Sequence, residues 1–243
     1  IAINGFGRIG RLSFRSLIQN KKVNVVAIND LTDIPTLVHL LKFDSAHGMF
    51  EADIHITDTG FSVNGNDIRV FAEKDPGLLP WKELQIDNVL ECTGIFLSRV
   101  KANLHIDAGA KRVILSAPPK ESTIPTFVLG VNDSLLKKSK DTIISNASCT
   151  TNCLAPVVKI LHENFGIVQG SCSTIHAVTQ DQRIQDSPHK DLRRARAAFI
   201  NIIPTSTGAG KALSLVYPEI GSRIIATSYR GPVITGSLVE LNV

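Results

Sequence analysis

Three glycines near the start of the chain constrain its fold more than any other feature. Gly5, Gly7 and Gly10 form the pattern Gly-x-Gly-x-x-Gly, directly after the strand-like residues 1–4 and at the start of an amphipathic run. The first glycine of such a pattern permits a tight turn, the second lets the backbone approach a pyrophosphate, and the third lets a helix pack on a strand. The helix N-terminus adds free N–H groups and a partial positive charge. The pattern predicts a βαβ unit that binds a dinucleotide.

A carboxylate follows the second predicted strand, at residues 23–28. Asp30 lies 20 residues after Gly10, a spacing at which a carboxylate accepts hydrogen bonds from the ribose hydroxyls. It would repel the 2′-phosphate of NADP, and no arginine follows it directly. We therefore predict NAD as the cofactor. An ordinary glycine turn followed by a strand-ending aspartate is the alternative interpretation.

Strands and helices alternate along the first part of the chain. Strands are predicted at residues 88–91, 112–116, 128–131 and 142–145, with a helix at 100–108. This alternation indicates an α/β fold with a doubly wound parallel sheet, the Rossmann architecture. Thr93, Gly94 and Ser116 follow predicted strands, at the edge where such a sheet binds its ligand. They join the glycines and Asp30 as candidate cofactor contacts.

A hairpin is predicted earlier in the chain. Residues 52–57 and 67–72 flank the dipeptide Asn64-Gly65. Both residues of that dipeptide tolerate a positive φ, which a tight hairpin turn requires.

The pattern changes after Asn146. Ser148 is a typical N-cap for a helix that starts at Cys149 and stops near Gly166. Strands are then predicted at residues 173–178, 224–229 and 237–243, with a polar loop at 180–196 and a helix beyond Gly208. We expect a Rossmann cofactor domain at residues 1–148. An α+β catalytic domain with a largely antiparallel or mixed sheet is expected at 149–243.

The composition excludes several classes of protein. The chain has 243 residues and only four cysteines, Cys92, Cys149, Cys153 and Cys172, without a CxxC pair or matching histidine spacing. That pattern favours reduced thiols over a disulfide scaffold, and no metal site is expected. The formal charge of +4 is small and spread out, so nucleic acid is not favoured as the primary partner. Binding of anionic substrates explains the small excess of positive charge equally well.

The ends and the hydropathy of the sequence favour a cytoplasmic protein. A membrane-spanning helix needs about 20 nearly continuous apolar residues, and the apolar stretches here are short and interrupted by Lys, Asp or Gly. The chain opens within a strand-like segment, without a basic and apolar leader, so we expect no retained signal peptide and no membrane attachment.

Cys149 and His176 are the candidates for chemistry. A thiol at the N-terminus of a helix has its pKa lowered by the helix dipole and by nearby N–H groups, which favours the nucleophilic thiolate. His176 lies in a predicted strand and could exchange a proton with that thiol, although a histidine in a strand is more often structural. A Cys/His pair beside a dinucleotide site suggests covalent oxidation of an aldehyde through a thiohemiacetal and a thioester.

Four segments carry a family resemblance. The chain resembles phosphorylating glyceraldehyde-3-phosphate dehydrogenase along essentially its whole length, and the run Ala-Ser-Cys-Thr-Thr-Asn-Cys is the most specific match. The segments that carry the resemblance are residues 3–11, 145–153, 176–179 and 201–208.

The resemblance implies a role for each matching residue. Cys149 would be the nucleophile, and His176 would activate it and serve as acid and base. Further contacts to NAD would come from Arg8, Ile9 and Lys74, although many members have arginine at the place of Lys74. Inorganic phosphate would be held by Ser148, Thr150, Thr207 and Gly208. The C3 phosphate of glyceraldehyde 3-phosphate would be held by Thr179 and Arg230, which could also share the nicotinamide ribose.

The resemblance also implies an assembly. The loop at residues 181–196 resembles one that packs across a subunit interface in this family, and it carries five basic and three acidic side chains. A homotetramer is therefore expected. The family's remaining C-terminal portion does not appear in the sequence, and we expect residues 149–243 to form only the first part of a catalytic domain.

Two other functions stay open from the sequence. An erythrose-4-phosphate dehydrogenase would share the fold and the Cys/His chemistry but would depend less on inorganic phosphate. A truncated, non-catalytic protein would keep its affinity for the cofactor or bind RNA through the basic cofactor groove. Thr207 and Gly208 favour the phosphorylating enzyme over the first alternative, and the intact Cys149 and His176 favour it over the second.

Overall fold

The computed structural model describes all residues, 1–243. Close contacts divide the chain into two compact units. The first contains residues 1–126 and 139–147, and the second contains residues 127–138 and 148–243. Residues 127–138 thus cluster with the second unit, whereas the sequence interpretation assigned them to the first. The placement of the boundary between the cofactor domain and the catalytic domain at 148/149 stays a prediction.

The first unit is built on one eight-stranded sheet. In order across the sheet the strands are β10-β9-β8-β1-β2-β7-β6-β5, and the run from β10 to β7 is parallel throughout. Consecutive strands run outward on one side of β1 and then on the other, which confirms the predicted doubly wound Rossmann fold. The elements are β1 (Ala2–Asn4), α1 (Arg8–Leu17), β2 (Ala27–Asn29), α2 (Ile34–Lys42), β3 (Phe43–Asp44), β4 (Gly48–Met49), β5 (Ile54–Thr57), β6 (Gly60–Val63), β7 (Asn66–Phe71), β8 (Asn88–Glu91), α3 (Arg99–Asp107), β9 (Arg112–Leu115) and β10 (Ile143–Ser145).

The order of the strands fixes where a ligand binds. The order reverses between β1 and β8, and the residues that follow these two strands meet at the carboxyl edge of the sheet. In an open α/β sheet the ligand crevice lies outside this point. Every residue of β1 and β2 is buried, so this edge is presented by a rigid core.

The hairpin differs in one strand from the sequence expectation. Asn64 and Gly65 both have positive φ, at 50° and 79°, and they join β6 to β7. Residues 52–57, the predicted first strand of the hairpin, contain β5 instead. Strand β5 pairs with β6, with Thr57 opposite Gly60, and not with β7. The position of the turn was right, but the strand immediately before it was missed.

The strand predicted at residues 128–131 is wrong. This segment forms a turn in which Gly130 has a φ of 78°. The side chain of Asn132 accepts the N–H of Val128, and that of Asp133 accepts the N–H of Gly130. These side-chain acceptors take the backbone donors that a β-ladder would need. Lys159 donates to the carbonyls of Gly130 and Val131 and holds the turn against the helix that follows Ser148.

The second unit contains a four-stranded mixed sheet, in the order β12-β13-β11-β14. Strand β11 runs parallel to β13 and antiparallel to β14, and β12 is antiparallel to β13. This sheet agrees with the predicted α+β class. The elements are α4 (Cys149–Phe165), β11 (Gly170–Ala177), β12 (Ile203–Thr205), α5 (Ala209–Val216), α6 (Pro218–Gly221), β13 (Ile224–Gly231) and β14 (Ser237–Asn242).

Helix α4 follows the sequence prediction closely. The hydroxyl of Ser148 accepts the N–H of Thr151 at 3.1 Å, which caps the first turn. Gly166, with a φ of 73°, ends the helix in a conformation that favours glycine. None of the helices in the structure combines the length and the apolar character that crossing a membrane requires.

Candidate active site

The second unit brings Cys149 and His176 together. Cys149 is the first residue of α4, and its Sγ lies 3.1 Å from Nε2 of His176 on β11. The register of the parallel strands sets Arg230 on β13 beside His176. Three side chains separated by up to 81 positions in the sequence therefore converge at the N-terminus of one helix. Their catalytic and binding roles stay predictions.

Backbone contacts orient the imidazole of His176. Its Nδ1 lies 2.7 Å from the carbonyl oxygen of Ala177, and a proton on Nδ1 donates to that oxygen. Nε2 then faces Cys149, either to accept the thiol proton or, once protonated, to donate to the thiolate. Arg230 Nη1 also donates to the Ala177 carbonyl, at 3.3 Å, and lies against the same ring nitrogen. Because a protonated Nδ1 has no free lone pair, Arg230 acts on His176 as a neighbouring cation.

The electrostatics of the pair favour its charged form. The hydrogen bond from His176 lowers the pKa of Cys149 from 9.0 to about 7, against the opposing effect of burial, with further help from the His176 charge and from Thr150. The hydrogen bond to Cys149 in turn raises the pKa of His176 above its usual 6.5. Both shifts describe a thiolate–imidazolium pair. A substantial fraction of Cys149 is thus nucleophilic at neutral pH.

The other three cysteines lack the contact with an imidazole that Cys149 makes, and two of them have raised pKa values. Burial raises the pKa of Cys92 to about 11 and also raises that of Cys172. Cys153 is exposed, four residues after Cys149 on α4. The structure thus distinguishes Cys149 by its contact with an imidazole.

A second arginine reaches this region. Burial, and then the charge of Arg194, lowers the pKa of Arg230, so Arg194 acts on the Arg230 guanidinium through its charge. Arg194 donates to Asp181 and to the hydroxyl of Thr205, and Arg230 Nε is buried without a hydrogen-bond partner. Two neighbouring arginines, one with an unpaired donor, are suited to a phosphate dianion. Sequence reasoning counted Arg194 only as one charge of the loop, because its approach to Arg230 depends on tertiary structure.

The candidate phosphate ligands present hydroxyls and a helix N-terminus. Gly208 caps α5 without a side-chain hydrogen bond, and no atom would lie within 4 Å of a Cβ at this position. The space there is open to a ligand. The Thr207 hydroxyl accepts the N–H of Ala209, and the Ser148 hydroxyl is engaged as the α4 cap. The Thr207 hydroxyl still has its proton to donate to a phosphate. The Ser148 hydroxyl also contacts the Thr151 hydroxyl at 2.7 Å, and its proton is available to a phosphate when Thr151 is the donor in that contact.

Two further candidates lie in the same unit. Thr150 is half-buried on the first turn of α4, directly after Cys149. Thr179 follows β11 and is exposed, and its backbone N–H donates to the side chain of Gln182. Their side chains are accessible, and their contacts with substrate or phosphate stay predictions.

The glycine run of the first unit forms the cradle that a pyrophosphate needs. Gly5 has a φ of 89°, and a Cβ on Gly10 would lie 2.1 Å from the carbonyl oxygen of Gly5. Only glycine therefore lets α1 approach the turn so closely. Gly7 caps α1 without a side-chain hydrogen bond, and no atom would lie within 4 Å of a Cβ there. Open space above free helical N–H groups fits a pyrophosphate, so the residues present are suited to a dinucleotide.

Asp30 follows β2 at the same edge of the sheet. Its carboxylate accepts the N–H of Phe6 at 2.7 Å and that of Thr32 at 3.0 Å. Asp30 therefore holds the glycine turn in place, a role that the sequence did not predict. A carboxylate offers about four acceptor sites, so two such bonds leave capacity for ribose hydroxyls.

Replacing Asp30 with alanine is expected to reduce the preference for NAD over NADP by about tenfold or more, because both the ribose acceptor and the repulsion of a 2′-phosphate are lost. Dissociation constants for the two cofactors, measured side by side, check this result. Asp33, which caps α2 through Thr36, provides a matched surface carboxylate for a control substitution. An unchanged NAD/NADP ratio in the Asp30 variant would contradict the ribose contact.

The remaining cofactor candidates surround this cradle. Arg8 pairs with Asp44 at 3.4 Å and has one buried guanidinium nitrogen without a partner. Ile9 is 53 % exposed, which is unusual for a large apolar side chain and leaves it free to contact a ligand. Four other candidates follow β7, β8 or β9 at the carboxyl edge of the sheet: Lys74, Thr93, Gly94 and Ser116.

The fold and this chemistry define a class of protein. A Rossmann sheet with a glycine cradle, together with a cysteine activated by histidine, is typical of an NAD-dependent oxidoreductase that works through a covalent intermediate. The family model for the glyceraldehyde 3-phosphate dehydrogenase NAD binding domain matches residues 1–99, and that for the C-terminal domain matches residues 148–243. The chain belongs to the glyceraldehyde-3-phosphate dehydrogenase family.

Curated relatives support the same assignment. The chain is 55 % identical over 245 aligned positions to glyceraldehyde-3-phosphate dehydrogenase of Thermotoga maritima, covering 100 % of this chain and 73 % of that protein. It is 53 % identical over 241 positions to glyceraldehyde-3-phosphate dehydrogenase of Geobacillus stearothermophilus, covering 99 % and 72 % of the two chains. The predictions of the family, the NAD cofactor and the enzyme class are confirmed.

Proposed function

We propose that this protein oxidises D-glyceraldehyde 3-phosphate, with inorganic phosphate and NAD, to 1,3-bisphosphoglycerate. The observation that carries the proposal is the 3.1 Å contact between Cys149 Sγ and His176 Nε2 at the N-terminus of α4. An enzyme that oxidises an aldehyde to an acyl phosphate needs a soft nucleophile that is also a good leaving group, and a thiolate is both.

Cys149 and His176 share the covalent chemistry. The thiolate attacks the aldehyde carbon, and the oxygen of the resulting thiohemiacetal takes the proton from His176. As the hydride leaves that carbon, His176 Nε2 takes the hydroxyl proton back and a thioester remains on Sγ. Bound NAD supplies the acceptor for the hydride. Inorganic phosphate then attacks the thioester and displaces the Cys149 thiolate, which releases the acyl phosphate and restores the starting pair.

The two anionic groups need separate binding residues. Arg230 and Thr179 are proposed for the C3 phosphate, and Arg194 adds a further positive charge that acts on Arg230. Hydroxyls and the N-terminus of α5 are proposed for inorganic phosphate, because a dianion requires several convergent donors. The residues assigned to inorganic phosphate are Ser148, Thr150, Thr207 and Gly208.

The same proposal extends to assembly and location. We propose a homotetramer in the cytoplasm. The loop after β11 supports the assembly, because its large apolar side chains Ile184, Leu192 and Ile200 are each at least 75 % exposed in the single chain. Large apolar side chains exposed along one loop would be covered at a subunit interface.

Phosphate dependence tests the proposed reaction. With glyceraldehyde 3-phosphate and saturating NAD, steady NADH formation is expected to fall at least about tenfold when phosphate is omitted, because only slow hydrolysis then cleaves the thioester. Arsenate, which has the same shape and charge, is expected to replace phosphate. Initial rates in a phosphate-free buffer, with and without each anion, provide the measurement. Oxidation that proceeds equally fast without either anion would contradict the proposal and favour an enzyme such as erythrose-4-phosphate dehydrogenase.

A further inference from the structure

The first unit contains an ionisable pair that takes no part in the chemistry above. Glu91, at the end of β8, and His105, on α3, are both 0 % exposed, and His105 Nε2 lies 3.1 Å from Glu91 Oε2. Trp81, also fully buried, donates its indole N–H to His105 Nδ1 at 3.0 Å. An indole nitrogen can only donate, so Nδ1 of His105 must be unprotonated. The other ring nitrogen, Nε2, faces Glu91, and a proton on Nε2 donates to the carboxylate.

The Glu91 carboxylate accepts hydrogen bonds from three other donors. Asn4 Nδ2 donates at 2.6 Å, the backbone N–H of Thr93 at 2.8 Å, and the Thr93 hydroxyl through a short contact. The Thr93 oxygen also accepts the N–H of Ile95 at 3.0 Å. A carboxylate has about four acceptor sites, so it can accept all of these hydrogen bonds at once. Glu91 thus fixes the turn at residues 93–95, which includes the candidate cofactor contacts of this strand.

The hydrogen bonds continue across neighbouring strands. Asn29, at the end of β2, donates to Asn4 Oδ1 at 2.7 Å and exchanges two hydrogen bonds with the backbone of Glu73. We call Trp81, His105, Glu91, Asn4 and Asn29 the strand-end network. Three of its members come directly at the ends of β8, β1 and β2.

Each branch of this network ends next to a candidate cofactor residue. Asn4 precedes Gly5, Asn29 precedes Asp30, and Glu73 precedes Lys74. The turns are also in direct contact, because a Cβ on Gly5 would lie 2.8 Å from both the N and the Cγ2 of Thr93. A displacement of the Thr93 turn would therefore displace the glycine turn. Glu91 thus contacts two of these segments directly, through Asn4 and Thr93, and is linked to the other two through Asn4 and Asn29.

We propose that Glu91 is a positioning residue for the NAD site, held in place by the His105–Trp81 pair. This inference rests on the proposed binding of NAD at the glycine cradle. Burial of an ion pair or a charge in an otherwise apolar sheet is costly, and apolar residues of similar volume often fit such places with equal or better stability. Here the hydrogen bonds fix geometry instead, because every donor to Glu91 apart from His105 belongs to, or directly precedes, a turn at the ligand-binding edge.

Glu91→Gln is the most direct test, since it keeps the shape but puts an NH2 group where every neighbour is a donor. NAD affinity is expected to fall about 10- to 100-fold, the loss typical of hydrogen bonds to a charged group. Turnover at saturating NAD is expected to stay within about threefold of the parent, because Glu91 does not touch the reacting atoms. Isothermal titration with NAD gives the affinity without reference to activity, and steady-state kinetics gives the KM-against-kcat split.

Paired variants of His105 keep the test independent of whether the Glu91 variant folds. His105→Leu removes both hydrogen bonds and is expected to weaken NAD binding several-fold. His105→Gln can donate to Glu91 and accept from Trp81, so it is expected to recover most of the affinity. Ile143→Ala is the control for stability, because it opens a cavity at the outer strand β10 and removes none of the hydrogen bonds of the network. At an equal fall in Tm, the control is expected to bind NAD within about twofold of the parent.

Amide hydrogen exchange provides a second readout. The N–H groups of Thr93 and Ile95 donate to Glu91 and to the Thr93 hydroxyl, so Glu91→Gln and His105→Leu are expected to accelerate their exchange more than Ile143→Ala does. The inference is overturned if Glu91→Gln or His105→Leu binds NAD as tightly as the control and protects these two amides equally well. A parent protein that does not bind NAD would instead contradict the proposed function.

Discussion

Replacing Cys149 with serine is expected to lower turnover by about 10⁴-fold or more while leaving NAD affinity within about threefold of the parent. A serine hydroxyl in this place has a pKa far above neutrality, whereas the Cys149 thiol has a pKa of about 7. The oxygen would also make an ester, which is a poorer acyl donor to phosphate than a thioester. The cofactor candidates lie in the first unit, so the loss should appear in kcat rather than in NAD binding.

Cys153→Ser is the matched control for that experiment. Cys153 is exposed on the same helix, and only Cys149 contacts His176. The control is expected to keep turnover within a few-fold of the parent. Activity that survives in the Cys149 variant but is lost in the Cys153 variant would show that the nucleophile has been misassigned.

Replacing His176 with asparagine is expected to lower kcat by about 10²- to 10⁴-fold, the usual contribution of a positioned acid and base. The same change removes the main cause of the lowered Cys149 pKa. The pH midpoint for alkylation of Cys149 should therefore move up from about 7 towards the ordinary value of 9.0. Rates of reaction with iodoacetamide, followed as a function of pH, give both midpoints.

The direction of the shift makes the result specific. At pH 7 the parent contains a large fraction of thiolate and the variant very little, so alkylation of the variant should be much slower. Above pH 9 both proteins contain mostly thiolate, and the two rates should approach each other. A midpoint that stays near 7 in His176→Asn would mean that the helix terminus or another group, rather than His176, lowers the pKa.

Local signals in the sequence predicted much of the structure. The glycine pattern determined the first turn because only glycine tolerates the close approach of Gly10 to Gly5. Ser148 and Gly166 marked both ends of α4 because cap residues are chosen by local hydrogen bonding and backbone conformation. The alternation of strands and helices predicted the Rossmann class, because that prediction requires no detailed knowledge of side-chain contacts.

Contacts between distant residues could not be predicted in the same way. The contact of Arg230 with His176 depends on the register of β11 with β13. The effect of the Arg194 charge on Arg230 depends on the position of a loop without regular structure. The contact of Glu91 with His105 likewise requires α3 to pack on β8. The apolar character of residues 128–131 favours a strand, whereas side-chain acceptors three and four residues after the donors favour the observed turn.

Trapping the acyl-enzyme tests the central claim most directly. Glyceraldehyde 3-phosphate is mixed with the protein and NAD in the absence of phosphate, and the reaction is quenched in acid. The protein is then digested, and the masses of its peptides are measured by mass spectrometry. The account predicts one phosphoglyceroyl group on the peptide that contains Cys149, formed together with one equivalent of NADH, and its loss on addition of phosphate. NADH formed at the full rate with no acyl group on Cys149, or with the group on another residue, would contradict it.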